Sequence, residues 1–305
     1  MKKFLFKIFL FFISFFFIIF IFFSLLEDQL AQDNFYFKFT TPKQSSMILG
    51  TSRAAQGLVP EIINNELNID IYNYSFTLMN SSYGPSYLNS IKKKINKKNK
   101  NGVFILAVDP WSISTKNNTN DDINLFRERE LFVQKLNFVN VNPNFEYLFR
   151  FSQNSFYDLL NKNTNDPSTF LHKRSGWLEI NVPMDSISKH QRFVNKISQY
   201  NKNIDLYTHS EKRLTYLKET IDYLKSFGKV YLVRLPVHIK MMEIENEFMP
   251  NFNNKIKSLI TNDVVFFDMT KSDQKYIYTD GNHLHKSSSI IVSKQISDLI
   301  KSNKP

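Results

Sequence analysis

The stretch Ser46-Met-Ile-Leu-Gly-Thr-Ser52-Arg53-Ala-Ala-Gln-Gly57 decides how the rest of the chain is read. It begins apolar, as a buried strand does, breaks at Gly50, and resumes with Ala54 and Ala55 in a helix-like run to Leu67. A strand, a tight turn and a helix follow, with Ser52 where the turn meets the helix N-terminus. That place lies at the carboxyl end of a strand, where ligands bind in open parallel α/β sheets. Unpaired backbone N–H groups there hold an anion. The geometry suits a nucleophile whose oxyanion must be stabilised, although a serine between strand and helix also serves simply as an N-cap.

The second informative stretch is Tyr278-Thr-Asp280-Gly-Asn-His283-Leu-His285. An acid and a histidine three residues apart, in a glycine-containing loop before a final helix, deliver an imidazole and its orienting carboxylate together. As a pair, the two stretches resemble the SGNH (GDSL-like) hydrolase superfamily. Gly50-Thr51-Ser52 stands where the nucleophile block follows the first strand, and Asp280 to His283 stand where the late Asp-x-x-His block supplies the other triad members. The chain is most similar to the membrane-anchored branch that includes the D-alanyl-lipoteichoic-acid transfer protein and the acetyltransferases of exopolysaccharide assembly. The resemblance covers residues 46 to 110 and 229 to 301. It implies an esterase or O-acyltransferase, a glycan or acylated small molecule as substrate, and a membrane-bound O-acyltransferase as partner.

The N-terminus supports that branch. Lys2, Lys3 and Lys7 precede an uncharged apolar run, Ile8 to Leu26, and Glu27 and Asp28 follow it. Such a run spans a bilayer as a helix, and the basic flank places the N-terminus in the cytoplasm and the remainder outside. No good small-x-small cleavage site follows, so an uncleaved anchor over residues 1–27 is expected. Residues 28–45 read as a tether or an irregular segment packed on the domain, and residues 46–305 as one hydrolase-like domain.

The 305-residue chain has no cysteine, which excludes disulfides, thiol nucleophiles and thiolate metal sites. The expected chemistry uses no metal or cofactor. The net charge of +11 includes the three anchor lysines. The run Lys92 to Lys100 reads as a solvated helix end, or as attraction for lipid headgroups or an anionic polymer. Many of the phenylalanines lie in the anchor and do not signal base stacking, and nucleic-acid binding fits an exported domain poorly.

Strand and helix alternate through the domain, giving an α/β, flavodoxin-like three-layer sandwich with a five-stranded parallel sheet. The strands are expected in the Ser46 stretch, at Ile69 to Phe76, Gly102 to Val108, Lys229 to Pro236 and Asp263 to Asp268. Helices are expected at Tyr83 to Lys98, at Ser210 to Phe227 with Gly228 as its stop, and at Ser287 to Ile300; Glu243 and Glu245 should open another. After the third strand, residues 113–203 lose the alternation and form a large insertion of short helices at the active-site edge.

The catalytic candidates are Ser52, Asp280 and His283. Asp109-Pro-Trp111-Ser112 stands where many SGNH enzymes carry a Gly-x-Asn-Asp block whose asparagine completes the oxyanion hole. The transfer-protein branch departs there too, so the gap points to that branch; it is also the best argument for the competing class, an inactive SGNH-like envelope protein that binds a glycan or an acyltransferase partner, which the retained Ser52, Asp280 and His283 oppose. Oxyanion or substrate-binding candidates are the backbone N–H of Ser52 and the side chains of Asn73, Ser75 and Arg53, with Asn80 weaker; Asn73 alternatively braces the Ser52 turn. Asp109 and Trp111 either line a sugar cleft or are structural. Arg234 and His238 reach the same sheet edge, His238 as a rival base. Asp268 is an alternative acid or a strand-end cap, and His285 packs or binds substrate. His172, His190 and His209 lack metal-ligand spacing.

Overall fold

The computed structural model describes residues 1–25, 35–151, 168–271 and 275–303. The first helix, α1 (Lys2–Leu25), is long and apolar enough over Lys2–Phe22 to cross a membrane.

The domain begins with β1 (Ser46–Leu49), which leads into α2 (Ser52–Gly57). The expected single helix to Leu67 is broken. Pro60 disfavours helical backbone at Val59, so Leu58 and Val59 are extended and a second helix, α3 (Pro60–Leu67), starts afresh with proline in its first turn. Next come β2 (Ile71–Asn73), α4 (Pro85–Lys94) and β3 (Gly102–Ala107). The insertion follows. It holds two small antiparallel pairs, Ser114–Lys116 with Tyr207–His209 and Thr169–Leu171 with Leu178–Ile180, and a 21-residue helix, α5 (Ser186–Leu206). The short helices expected there are present as well, among them Phe132–Lys135 and Phe145–Arg150. Regular alternation returns with α6 (Glu211–Lys225), β4 (Gly228–Arg234), α7 (Ile239–Phe248), β5 (Val264–Asp268) and α8 (Lys286–Ser302).

The five strands form one parallel sheet in the order β2-β1-β3-β4-β5. This is the flavodoxin-like order, with the switch point beside β1. Successive side chains point to opposite faces, and here both faces are covered. Met47, Leu49, Phe104 and Leu106 join one core with Tyr87 and Ile91 of α4 and Leu217 and Leu224 of α6. Ile48, Ile105, Tyr231 and Val233 join the other with Ile63 of α3 and Val292, Ile296 and Ile300 of α8. That is why the strands read as continuous apolar runs.

Gly228 opens β4 rather than stopping α6. It pairs with Gly102, and a Cβ on it would lie 1.9 Å from the Gly102 carbonyl oxygen, so the two strands approach too closely for a side chain. Glu243 and Glu245 fall in the body of α7, not at its positive end.

Within residues 28–45, the described part from Phe35 is packed on the domain, with Phe35, Tyr36, Phe37 and Phe39 buried in the first core. Lys38 is buried with them. Its Nζ donates to the carbonyls of Asn73 (2.8 Å) and Ser75 (2.7 Å). Lys94, also buried, donates to Thr41 O (2.6 Å), Thr41 Oγ1 (2.9 Å) and Val139 O (2.7 Å). Burial pushes both ammonium groups well below the usual lysine range, and repulsion from Lys94 adds to it at Lys38. A depressed lysine leaves the native state holding fewer protons than the unfolded chain until the pH reaches about 10.4, so stability rises with pH in that interval. The urea midpoint of the full-length chain should therefore rise from pH 7 to about 9.5, before tyrosine ionisation intervenes. Lys38→Met should flatten the rise; an unchanged slope would show that Lys38 titrates normally.

Candidate functional site

Gly50 turns the chain at the end of β1 with φ +145°, and a Cβ there would meet that of Ala107 at 2.9 Å. Thr51 is the N-cap and Ser52 the first residue of α2. By position, the Ser52 N–H has no intrahelical acceptor and faces outward from the helix end.

Ser52 Oγ lies 2.8 Å from His283 Nε2, across 231 residues of sequence. His283 Nδ1 lies 2.9 Å from Asp280 Oδ2. A carboxylate only accepts, so Nδ1 carries the proton, and Nε2 accepts from the serine hydroxyl. The loop is self-bracing. Asp280 Oδ1 accepts from the backbone N–H groups of Asn282 and His283 (both 2.9 Å), and Thr279 N donates to His283 O (2.9 Å). Gly281 takes φ +86°, with the ring of Phe193 from α5 2.7 Å from where its Cβ would be.

The insertion thus holds the loop from outside. Arg192 donates to Thr279 O (2.9 Å), and the Lys196 ammonium lies 3.5 Å from Asp280 Oδ2. Burial alone would raise the Asp280 carboxyl. The His283 imidazole, by charge and hydrogen bond, and the Lys196 charge outweigh burial and hold it well below the usual carboxylate range. On the other flank, Trp177 Nε1 donates to Gln56 O (2.9 Å), and Asn73 N donates to Ser175 O (2.8 Å).

The remaining sequence candidates do not face the serine. Asn73 is fully buried and its Nδ2 donates to Ala54 O (2.8 Å) and Leu58 O (3.1 Å), so it braces α2 and has no donor left for a substrate. Ser75 is fully buried, its hydroxyl on Ile48 O (3.3 Å). Trp111 is 1% exposed, stacked on Phe248 at 4.3 Å and met edge-on by Tyr200 at 4.9 Å, which leaves no face for a sugar ring. Asp109 caps the short turn beneath it, accepting from Ser112 N (2.9 Å); burial raises its carboxyl against the pull of Arg53. Asp268 accepts from Thr270 N (3.1 Å) and Asn253 Nδ2 (2.8 Å), a strand-end cap. His285 caps α8 through Ser287.

The two arginines point inward. Glu245, fully buried on α7, accepts from Arg53 Nη2 at Oε1 and from Arg234 Nη2 at Oε2 (3.0 Å). Arg234 also reaches Asn253 (2.9 Å) and lies over the ring of Phe252. Both guanidiniums are thus turned toward Glu245 and about 95% buried. Arg53 also grips Asn282, with Nε and Nη2 at 2.9 and 2.6 Å from its Oδ1. Glu245, Asn282 and Lys196 are the residues the sequence reading did not assign; Asn282 lay in plain view inside the Asp280–His283 block.

His238 caps α7, with Nδ1 accepting from Lys240 N (3.2 Å). It borders a cavity of about 740 Å³ lined by Phe193, Met242, Met269, Tyr276 and Tyr278 among others. Gly281 lines it too, but Ser52 and His283 do not, so the cavity adjoins the loop without surrounding the serine. Among the described residues no group of histidines and carboxylates is arranged to hold a metal ion.

No protein-family model and no curated protein matches this chain. Among solved structures it is similar to an acetyl xylan esterase from the rumen bacterium Butyrivibrio proteoclasticus, with 9% identity, a TM-score of 0.25, and coverage of 89% of this chain and 62% of that one. The chain therefore spans less than two thirds of the length of that protein. So slight a likeness carries no function, and only the residues of the site can supply one.

Proposed function

We propose that this chain is a membrane-anchored, serine-dependent O-acyl esterase or O-acyltransferase of the SGNH type, acting on a cell-envelope or exported glycan through an acyl-serine intermediate. One observation carries the reading: a hydroxyl, an imidazole and an ionised carboxylate in line, at 2.8 and 2.9 Å, with the hydroxyl at a helix N-terminus on the carboxyl edge of a parallel sheet. In acylation, Ser52 Oγ bonds to the ester carbonyl carbon while its proton passes to His283 Nε2. Asp280 holds the imidazole in that tautomer and stabilises the imidazolium. The oxyanion forms against the Ser52 backbone N–H and the end of α2. The leaving oxygen departs with the proton from Nε2, and in the second half the acceptor oxygen gives its proton to Nε2 and bonds to the acyl carbon while the Ser52 Oγ–acyl bond breaks and Oγ takes the proton back from Nε2. Water as acceptor makes the protein an esterase, and a sugar hydroxyl makes it a transferase. The apolar α1, with lysines before it and acids after the apolar run, supports an extracytoplasmic domain tethered to the bilayer, beside lipid-linked glycans and a membrane-bound O-acyltransferase donor.

The test is intact-mass labelling of the full-length chain in detergent with a fluorophosphonate. We expect one adduct on the wild type and none on Ser52→Ala or His283→Ala. A folded wild-type chain that takes no adduct would sink the enzyme reading in favour of a non-catalytic glycan- or partner-binding protein.

A further inference from the structure

The geometry points to Asn282 as a further catalytic residue: its side-chain amide donates to the leaving-group oxygen in acylation and to the attacking acceptor oxygen in deacylation. The inference rests on the acyl-serine reading above and adds a donor distinct from the oxyanion-hole asparagine that the sequence lacks after β3.

Asn282 is 2% exposed, and its amide is not free to turn. A guanidinium has donors and no acceptor, so the two contacts from Arg53, at 2.9 and 2.6 Å, take the carbonyl oxygen Oδ1. Nδ2 is then the branch that faces the site, 3.3 Å from His283 Nε2. Arg53 is itself fixed by Glu245. A buried ion pair, an amide and the imidazole form one continuous support, and Arg53 and Glu245 are positioning residues within it.

Nδ2 lies beside Nε2, the atom that exchanges protons with the substrate oxygens. Any oxygen that gives its proton to Nε2, or takes one from it, must come within about 3 Å of that nitrogen. With the two nitrogens 3.3 Å apart, there is a position for such an oxygen within hydrogen-bond distance of both. In the resting state Nε2 is occupied by the Ser52 hydroxyl (2.8 Å), and the amide makes only a long contact with it. Once the imidazole is protonated, Nε2–H and Nδ2–H are both donors and repel unless an acceptor lies between them. The leaving oxygen, gaining negative charge as its bond to carbon breaks, is that acceptor. The amide thus gains its best partner as charge develops, and an interaction stronger in the transition state than in the ground state raises the rate. The carbonyl oxyanion lies elsewhere, toward the Ser52 N–H, so the two donors serve different oxygens.

The consequence is a dependence on the leaving group. An alkyl or sugar oxygen leaves poorly and needs the donor; a nitrophenolate leaves without it. The experiment compares alkyl acetates with p-nitrophenyl acetate on the full-length chain in detergent, for wild type, Asn282→Ala and Asn282→Asp. The aspartate variant keeps an acceptor for Arg53 while removing the donor, and so guards against a misfolded alanine variant. Both variants should lose roughly 100-fold in kcat/KM on the alkyl esters, the scale for deleting one aligned donor, and far less on the nitrophenyl ester. Both should keep fluorophosphonate labelling at Ser52. Equal losses on the two esters in the alanine variant, with its fluorophosphonate labelling kept, would overturn the assignment while leaving Ser52, His283 and Asp280 in place. A folded wild type that neither labels nor hydrolyses either ester would remove the enzyme reading, and this inference with it.

Discussion

Ser52→Ala and His283→Ala should each lower kcat by about 10⁶-fold on whichever ester proves the substrate, and the double variant should be no worse than either single one. Non-additivity is the informative part. The hydroxyl is a weak nucleophile at neutral pH and becomes competent only as its proton passes to Nε2. Once either partner is gone the other has nothing to act on. Losses that add would mean that Ser52 and His283 act separately, against the proposed mechanism despite their 2.8 Å contact. Asp280→Asn belongs to the same series with a smaller loss of roughly 10⁴-fold, because the amide presents a donor to Nδ1 and selects the wrong tautomer.

The carboxylate also carries a pH signature. Asp280 is held well below the usual range, chiefly by His283 and Lys196 working against burial. A depressed acid contributes stability that is complete above its unfolded pKa, about 3.9, and is lost as the pH falls through the folded value. The melting temperatures of wild type and Asp280→Asn should therefore differ at pH 7 and converge as the pH drops below about 4. A gap independent of pH would mean that Asp280 gains nothing from its neighbours.

Much of the fold was written in short-range pattern. The strands β1, β3, β4 and β5 are continuous apolar runs because helices cover both faces of the sheet, and alternation with helical segments dictates a parallel arrangement. The serine and the Asp-x-x-His block were legible because strand ends and loop glycines mark where side chains must emerge. Helix α5 was not. Phe193, Ile197, Tyr200 and Ile204 recur at helical spacing, but they are diluted by Ser, Asn, Gln and Lys, and Met241 and Ile244 of α7, which join the last three in one core, lie far along the chain. Residue type also misled where burial decides the role. Arg53 and Arg234 read as substrate contacts, and Asn73 and Trp111 as either substrate contacts or structural groups; each is turned inward, and only the folded chain shows that Glu245, Ala54 O and Phe248 are what they meet.

Glu245 is where that inward-turned set is most exposed to failure. It has no solvent exposure, and its two oxygens serve Arg53 and Arg234, both about 95% buried. Asp109, also buried, lies near enough to act on Arg53 electrostatically, so two guanidiniums and two carboxyl groups share one buried cluster. Such an arrangement adds little net stability compared with an apolar packing of equal volume, but removing one member leaves a charge stranded, at a cost of about 3–5 kcal/mol. Glu245→Ala should therefore lower the melting temperature by roughly 6–20 °C, taking 2–4 °C per kcal/mol for a large domain. Glu245→Gln keeps an acceptor for one arginine and should cost less. Pairing Glu245→Leu with Arg234→Leu should recover part of the loss, since fewer charges then remain unpaired. The damage should also reach the serine: without Glu245, Arg53 no longer holds Asn282 Oδ1 in place, and Nδ2 leaves its position beside His283. In the glutamine variant activity on alkyl esters should fall further than activity on nitrophenyl esters, at a temperature where the protein remains folded. A Glu245→Ala protein within about 1 kcal/mol of wild type would show that the arginines find other partners, and would break the link from α7 to Ser52.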